Sequence, residues 1–277
     1  MTSPDLIVIG AQKCGTTTVY EDLGAHPSIS LTDKESSVLL AARESDMRTA
    51  YARVPVPEGS FLAEVSTEYA MRPLRDVART AAAVAPEASV AYIVRDPVAR
   101  VISHHHHEMA ARTLSVGIDD AVREHRQLID YSRYAFQIRP WLDAFGPHRV
   151  HVLRFEEYMS DRATGSARLY SILGAPAFTL PDPDAVHNAA ADKRVAVGAV
   201  GKVVHHPFYR NVIRPRIPTS TRGAAKRLLL PKAPPRPAPP NRDTLETLVK
   251  ELQPEVDELA QLTNSEPWWD LEERWLT

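Results

Sequence analysis

The stretch Ile7-Val8-Ile9-Gly10-Ala11-Gln12-Lys13-Cys14-Gly15-Thr16-Thr17-Thr18 sets one lysine between two glycines, with an apolar run before it and three hydroxyls after it. Glycine admits backbone angles that turn successive N–H groups into one concavity. A helix starting near Thr16 adds free N–H donors and partial positive charge, and Lys13 adds a full charge. That combination is a cradle for a phosphate. Gly10 and Gly15 stand where the two glycines of an ATPase P-loop would, but that motif then requires lysine and a hydroxyl, and here Thr16 and Thr17 follow. The lysine lies inside the loop instead. This arrangement argues against ATP hydrolysis and against an obligatory metal.

A second anion site is written in Val90-Ala91-Tyr92-Ile93-Val94-Arg95-Asp96-Pro97. Asp96 suits a helix N-cap and Pro97 the first helical position. The helix then carries Arg100, Ser103 and His107 at a spacing that places them on one face. Arg95, at the end of the apolar run, can meet that face. A guanidinium beside a hydroxyl suits a phosphate monoester. His104 to His107 form a histidine run, but consecutive helical side chains diverge, so four neighbours cannot close on one metal ion; no metal site is expected.

These residues resemble the signatures of sulfotransferases that use 3′-phosphoadenosine 5′-phosphosulfate (PAPS), in the branch containing heparan sulfate sulfotransferases and many bacterial relatives. Gln12-Lys13-Cys14-Gly15-Thr16-Thr17 is similar to that family's 5′-phosphosulfate loop, and Arg95-Asp96-Pro97 with Ser103 to its 3′-phosphate motif. The resemblance implies that Gln12, Lys13, Cys14, Gly15, Thr16 and Thr17 hold the 5′ end of the nucleotide. It implies that Arg95 and Ser103 hold the 3′-phosphate, which distinguishes PAPS from ATP. His107 matches a histidine near the transfer centre. Lys34-Glu35, after His26-Pro27, matches a stretch whose glutamate is the general base; Val38-Leu39-Leu40 then stand where the family often has two aromatics. Glu64, in a Glu-x-Ser stretch, is the alternative base or an orienting residue. Arg133 and Tyr134 are expected near the nucleotide, and Lys193 and Arg194 in a late loop that closes over it.

The implied activity is in-line transfer of a sulfuryl group from PAPS to a hydroxyl or amine, with Lys13, Glu35 and His107 at the reacting centre and 3′-phosphoadenosine 5′-phosphate (PAP) as product. The expected acceptor is a carbohydrate, glycolipid or small molecule. Two rivals remain at this stage: a P-loop kinase acting on a small molecule, and a nucleotide-binding protein without turnover.

The elements that must position these residues follow from periodicity. Leu6–Ile9, Val90–Val94 and Val150–Leu153 are apolar, β-branched runs typical of buried parallel strands, and Phe61–Val65 is a weaker fourth. Helical patterns follow each, at 16–23, 72–84, 97–111 and, as two pieces, 156–173. A helical stretch between Ile118 and Phe145 is expected to break or kink at Pro140. Alternating strands and helices predict an α/β fold: one P-loop-like domain, a central parallel β-sheet with helices on both faces, and ligands at the carboxyl ends of the strands.

The domain is expected to span residues 1–277, with a core at 5–180. An arm at 193–242 holds twelve Lys and Arg, no Asp or Glu, and a proline-rich run. A helix over 244–263 and an aromatic tail with Trp268, Trp269 and Trp275 are expected to pack back on the body. A net charge of −2 gives no overall attraction to nucleic acid, while the basic arm leaves peripheral membrane contact open. One cysteine excludes an internal disulfide, no apolar run suits a membrane span, and no signal peptide is evident. The expectation is a cytoplasmic protein; oligomeric state is not readable.

Overall fold

The computed structural model describes residues 2–72, 77–184 and 237–277. Five parallel strands form its sheet: β1 (Leu6–Gly10), β2 (Ile29–Leu31), β3 (Phe61–Val65), β4 (Ser89–Val94) and β5 (Val150–Arg154), in the order β2-β3-β1-β4-β5. β1 is buried along its whole length because it has paired strands on both edges and helices on both faces, which is why its sequence is a continuous apolar run. β1 pairs with β3 on one side and β4 on the other, so chain connections diverge at its carboxyl end. In open α/β sheets that divergence opens a crevice suited to a ligand.

The helices are α1 (Thr16–Ala25), α2 (Glu44–Ala52), α3 (Ala78–Val84), α4 (Pro97–Ala111), α5 (Ile118–Glu124), α6 (Gln127–Asp130), α7 (Tyr134–Phe145), α8 (Phe155–Ser160), α9 (Arg162–Leu173), α10 (Arg242–Thr263) and α11 (Leu271–Leu276). α1 packs against β2, β3 and α9, whereas α7 packs against α3, α10, β4 and β5. α1 is joined to α9 by the buried Asp22–Arg162 ion pair, to which Tyr158 adds a hydrogen bond of 2.8 Å. α10 is fastened to α7 and its lead-in by Arg133–Glu255 at 2.9 Å and by Arg139–Glu258, while Glu255 also accepts from the Phe136 amide at 3.0 Å. Trp269 is buried, and Trp268 and Trp275 pack on the core.

Several boundaries differ from the sequence expectation. β2 has three residues, too few to show a period, and α2 is polar on most of its surface. α3 begins at Ala78 rather than Arg72. The 118–145 stretch is three helices, and Pro140 lies inside the third without ending it. A helical proline strands the carbonyl four residues earlier. Here that carbonyl belongs to Phe136 and accepts from Arg72 Nη1 at 2.8 Å, so the loss is compensated from outside the helix.

Candidate active site

The loop after β1 is shaped by two residues in the left-handed region, Lys13 (φ 73°) and Gly15 (φ 77°). At Gly15 a side chain is excluded twice over: the φ disfavours it, and a Cβ would lie 2.9 Å from the Phe155 ring. Gly15 is also the N-cap of α1 and supplies no capping side chain, so the first N–H groups of that helix face the loop uncapped. From below, the loop is held by fully buried Arg100. Its Nε donates to the Gln12 carbonyl at 3.0 Å and its Nη2 to Gln12 Oε1 at 3.3 Å, while Nη1 reaches the Leu128 carbonyl and Ser132 Oγ. Cys14 turns its thiol into the body, 3.8 Å from the Tyr134 hydroxyl, and burial pushes that thiol up to about 11. It therefore stays protonated and unreactive at neutral pH.

The turn after β4 lies alongside. Its Arg95 amide donates to the same Tyr134 hydroxyl at 3.4 Å, which ties the two phosphate-type motifs to one buried phenol. The Arg95 guanidinium lies over the Phe155 ring at 5.0 Å, the ring that also abuts Gly15. Among the described residues neither that guanidinium nor the Ser103 hydroxyl has a hydrogen-bond or ion-pair partner. Asp96 caps α4 by accepting from the Ala99 amide at 2.9 Å. Because Arg100 on α4 reaches Gln12, the stripe that continues through half-buried Ser103 and His107 runs along the loop side of the helix.

On the other flank, Glu35 hydrogen-bonds through its amide to the Val65 carbonyl at 3.1 Å, at the carboxyl end of β3. Its backbone is left-handed (φ 55°), as is that of Ser37 (φ 54°). Its Oε2 accepts from the Thr67 amide at 2.8 Å and from the Thr67 and Ser66 hydroxyls, and its Oε1 pairs with Lys34 at 2.9 Å. The Glu35 side chain remains 34% exposed. Glu64 is its opposite, with no exposure. Its carboxylate accepts from Ser36 Oγ at 2.7 Å, the Tyr69 hydroxyl at 2.6 Å, the Tyr51 hydroxyl and the Val38 amide. Burial, then the nearby carboxylate, pushes both tyrosines far above their ordinary range. A carboxylate so enclosed offers no open face to an acceptor, so of the two roles expected for Glu64, base or orienting residue, the geometry fits the orienting one, as an anchor under the 36–38 segment.

The carboxyl ends of β3, β1 and β4 thus bring Glu35, the Lys13 loop and Arg95 to three adjacent positions on one edge of the sheet. Thr16 is buried and Thr17 half-buried at the start of α1. Tyr134 is buried beneath the ledge, and Arg133 is committed to Glu255 rather than to the site. Lys193 and Arg194 lie outside the described residues. The sequence reading placed Arg100 on the right helix face without a task; its clamp on Gln12 needed the fold to be seen. The stretch Val152 to Glu156 also resembles the family in sequence, but Phe155 and Glu156 had no role there; the order of strands brings them here, where the Asp96 amide donates to Glu156 Oε1 at 2.9 Å.

The four histidines divide as helical geometry requires. His104 and His105 are buried, and His105 Nε2 contacts the Val116 carbonyl at 2.9 Å. Burial outweighs the neighbouring Glu108 carboxylate and brings His104 down to about 4, so a neutral imidazole donates to Glu108 at 3.3 Å. Among the described residues no cluster of side chains suits a metal ion, and no helix is long and apolar enough to cross a membrane.

Comparisons with known proteins agree with this architecture. A heparan sulfate glucosamine 3-O-sulfotransferase 3A1 from Mus musculus is 27% identical over 183 residues, covering 62% of this chain and 46% of that protein. The human bifunctional heparan sulfate N-deacetylase/N-sulfotransferase 3 is 28% identical over 197 residues, covering 62% of this chain and 22% of that protein. The chain therefore spans less than half the length of these curated relatives. Among solved structures, a sulfotransferase from Alicyclobacillus acidocaldarius shares the fold with a TM-score of 0.65 at 19% identity, covering 96% of this chain and 98% of that one. The sulfotransferase domain from the curacin biosynthetic pathway aligns with a TM-score of 0.50 at 16% identity, covering 82% and 98%. The model of the sulfotransferase domain matches residues 3–188, two thirds of the sequence, and the chain belongs to that family.

Proposed function

We propose that this protein transfers a sulfuryl group from PAPS to a hydroxyl or amine of a carbohydrate, glycolipid or small-molecule acceptor, with Glu35 as general base and no obligatory metal. The observation that carries the reading is the uncommitted Arg95 guanidinium on the Phe155 ring, in line along the sheet edge with the uncapped start of α1. A partly buried cation and an open helix N-terminus suit a nucleotide phosphorylated at both its 3′ and 5′ positions, which supports PAPS over ATP.

The donor supplies the sulfuryl group on a phosphate that can leave. Lys13 and the N–H groups of Gly15, Thr16 and Thr17 stabilise charge on that phosphate, and Arg95 with Ser103 grips the 3′-phosphate. Gln12, Cys14 and Tyr134 contribute by shaping the loop, since the Cys14 thiol and the Tyr134 ring face inward. Glu35 takes the acceptor's proton as it attacks, held for that purpose by Thr67 and Ser66. His107 supports Glu35 or the oxygens in transfer. Most of the rate then comes from placement and fixed charge, as in phosphoryl transfer. A reducing, cytoplasmic setting and closure by Lys193 and Arg194 belong to the same proposal.

Calorimetry with PAP and with ATP–Mg²⁺ tests the nucleotide. Tighter PAP binding is expected, and tighter ATP–Mg²⁺ binding would return the chain to the kinase reading. Radiolabelled PAPS incubated with a panel of hydroxyl-bearing glycans, glycolipids and small molecules tests turnover; label entering none of them would leave a binding protein.

A further inference from the structure

Asp96 is fully buried, yet it does not pair with Arg95, the cation adjacent to it in sequence. Its carboxylate is taken up by a segment 179 residues away. Arg274 Nε pairs with Oδ2 at 2.7 Å, and the Trp275 indole N–H reaches Oδ2 at 3.0 Å and Oδ1 at 3.3 Å. The Ala99 amide occupies the remaining side of Oδ1 at 2.9 Å. A carboxylate has about four acceptor positions, and these three donors leave it little capacity for another.

The asymmetry of the pair points to its purpose. Asp96 has no exposure, whereas the Arg274 side chain is 56% exposed, so a surface cation has been brought in to neutralise a buried anion. An unneutralised buried carboxylate is costly, and the cation beside it in sequence is Arg95. Without the clasp, Arg95 would turn to Asp96, and the negative charge would stand beside any incoming phosphate. We infer that Arg274 and Trp275 are positioning residues of the 3′-phosphate pocket, which keep Arg95 available by occupying Asp96. This inference rests on the proposed role of Arg95 and adds to it residues that the family signatures in this sequence do not contain.

The test compares two nucleotides that differ at the 3′ position. Affinities for PAP and for adenosine 5′-monophosphate are measured by calorimetry for the full-length chain, Arg274→Ala, Arg274→Ala with Trp275→Phe, and Arg274→Lys, with thermal melting to follow the fold. PAP affinity should fall about tenfold in the double variant, with the monophosphate changed less than about twofold and Arg274→Lys recovering most of the loss. Equal losses for both nucleotides, or no loss for PAP, would overturn the inference. Should the double variant fail to fold, Arg274→Ala alone, altered at an exposed side chain, carries the same ratio. Arg95→Ala serves as the control on the underlying reading. If it leaves the PAP preference intact, the role of Arg95 fails and the inference falls with it; if it abolishes the preference while the Arg274 variants do not, only the clasp fails.

Discussion

The ledge at the carboxyl end of the sheet and the layer beneath it contain the same residue types put to opposite uses. Glu35, Arg95 and His107 lie half-buried on the ledge, whereas Glu64, Arg100 and His104 lie sealed below it. Each sealed member is committed to the protein: Glu64 to Tyr51, Tyr69 and Ser36, Arg100 to Gln12, and His104 to Glu108. The lower set fixes the backbone from which the upper set projects. Charged groups buried without such partners would be prohibitively costly, so Glu64 and Arg100 are paired, whereas the neutral His104 imidazole tolerates an Nδ1 with no hydrogen-bond partner among the described residues. Ligand-binding groups must instead keep capacity in reserve, as Arg95 does. Residue type and proximity therefore do not identify a reacting group: the two glutamates are equally hydrogen-bonded and differ in exposure, 34% for the Glu35 side chain against none for Glu64, while the two arginines differ in unused donors.

The sharpest way to break this division is at the two glutamates. Glu35→Gln should reduce kcat by about 10²–10⁴ with PAP affinity retained, once a radiolabelled acceptor is in hand. Retained turnover would remove Glu35 from the reaction. Lys13→Ala should lower sulfuryl transfer by about 10²–10³ while circular dichroism and melting remain those of the parent chain. Normal transfer in that variant would show the loop cation to be misassigned.

Two smaller effects probe the lower layer. Glu64→Gln should destabilise the fold by about 1–3 kcal/mol in urea titration, because amide N–H groups then face hydroxyls that now donate to a carboxylate. An unchanged midpoint would mean Glu64 is not the anchor described. His104 gives a pH signature. Between its ordinary value of 6.5 and the folded value near 4, the unfolded chain binds a proton there that the folded chain refuses. Stability attributable to His104 is therefore present above pH 6.5 and lost as pH falls, by about 2 kcal/mol at pH 5. A His104→Gln variant should flatten that part of the curve, and identical slopes would refute the buried neutral imidazole.

Much of this was legible before any coordinates. Four of the five strands were readable because buried parallel strands must be apolar throughout, and the two phosphate motifs were readable because their chemistry is local: a glycine loop, a cap, a helix start. β2 and α2 were not, since three residues carry no periodicity and a polar helix shows only a faint one. Of the two outcomes expected at Pro140, a break or a kink, the break did not occur, for a related reason. The rule that proline breaks helices assumes its stranded carbonyl finds no donor, and Arg72, far away in sequence, provides one.

The short-range devices are encoded locally, because glycine conformations, helix caps and strand periods depend on neighbours a few residues apart. Allegiance came from the folded arrangement: that Glu64 is sealed and Glu35 open, that Arg100 serves the loop while Arg95 waits, and that Arg274 and Trp275 return to Asp96. Burial and hydrogen-bond capacity are set by whichever residues arrive from distant parts of the chain, and no local pattern encodes who arrives.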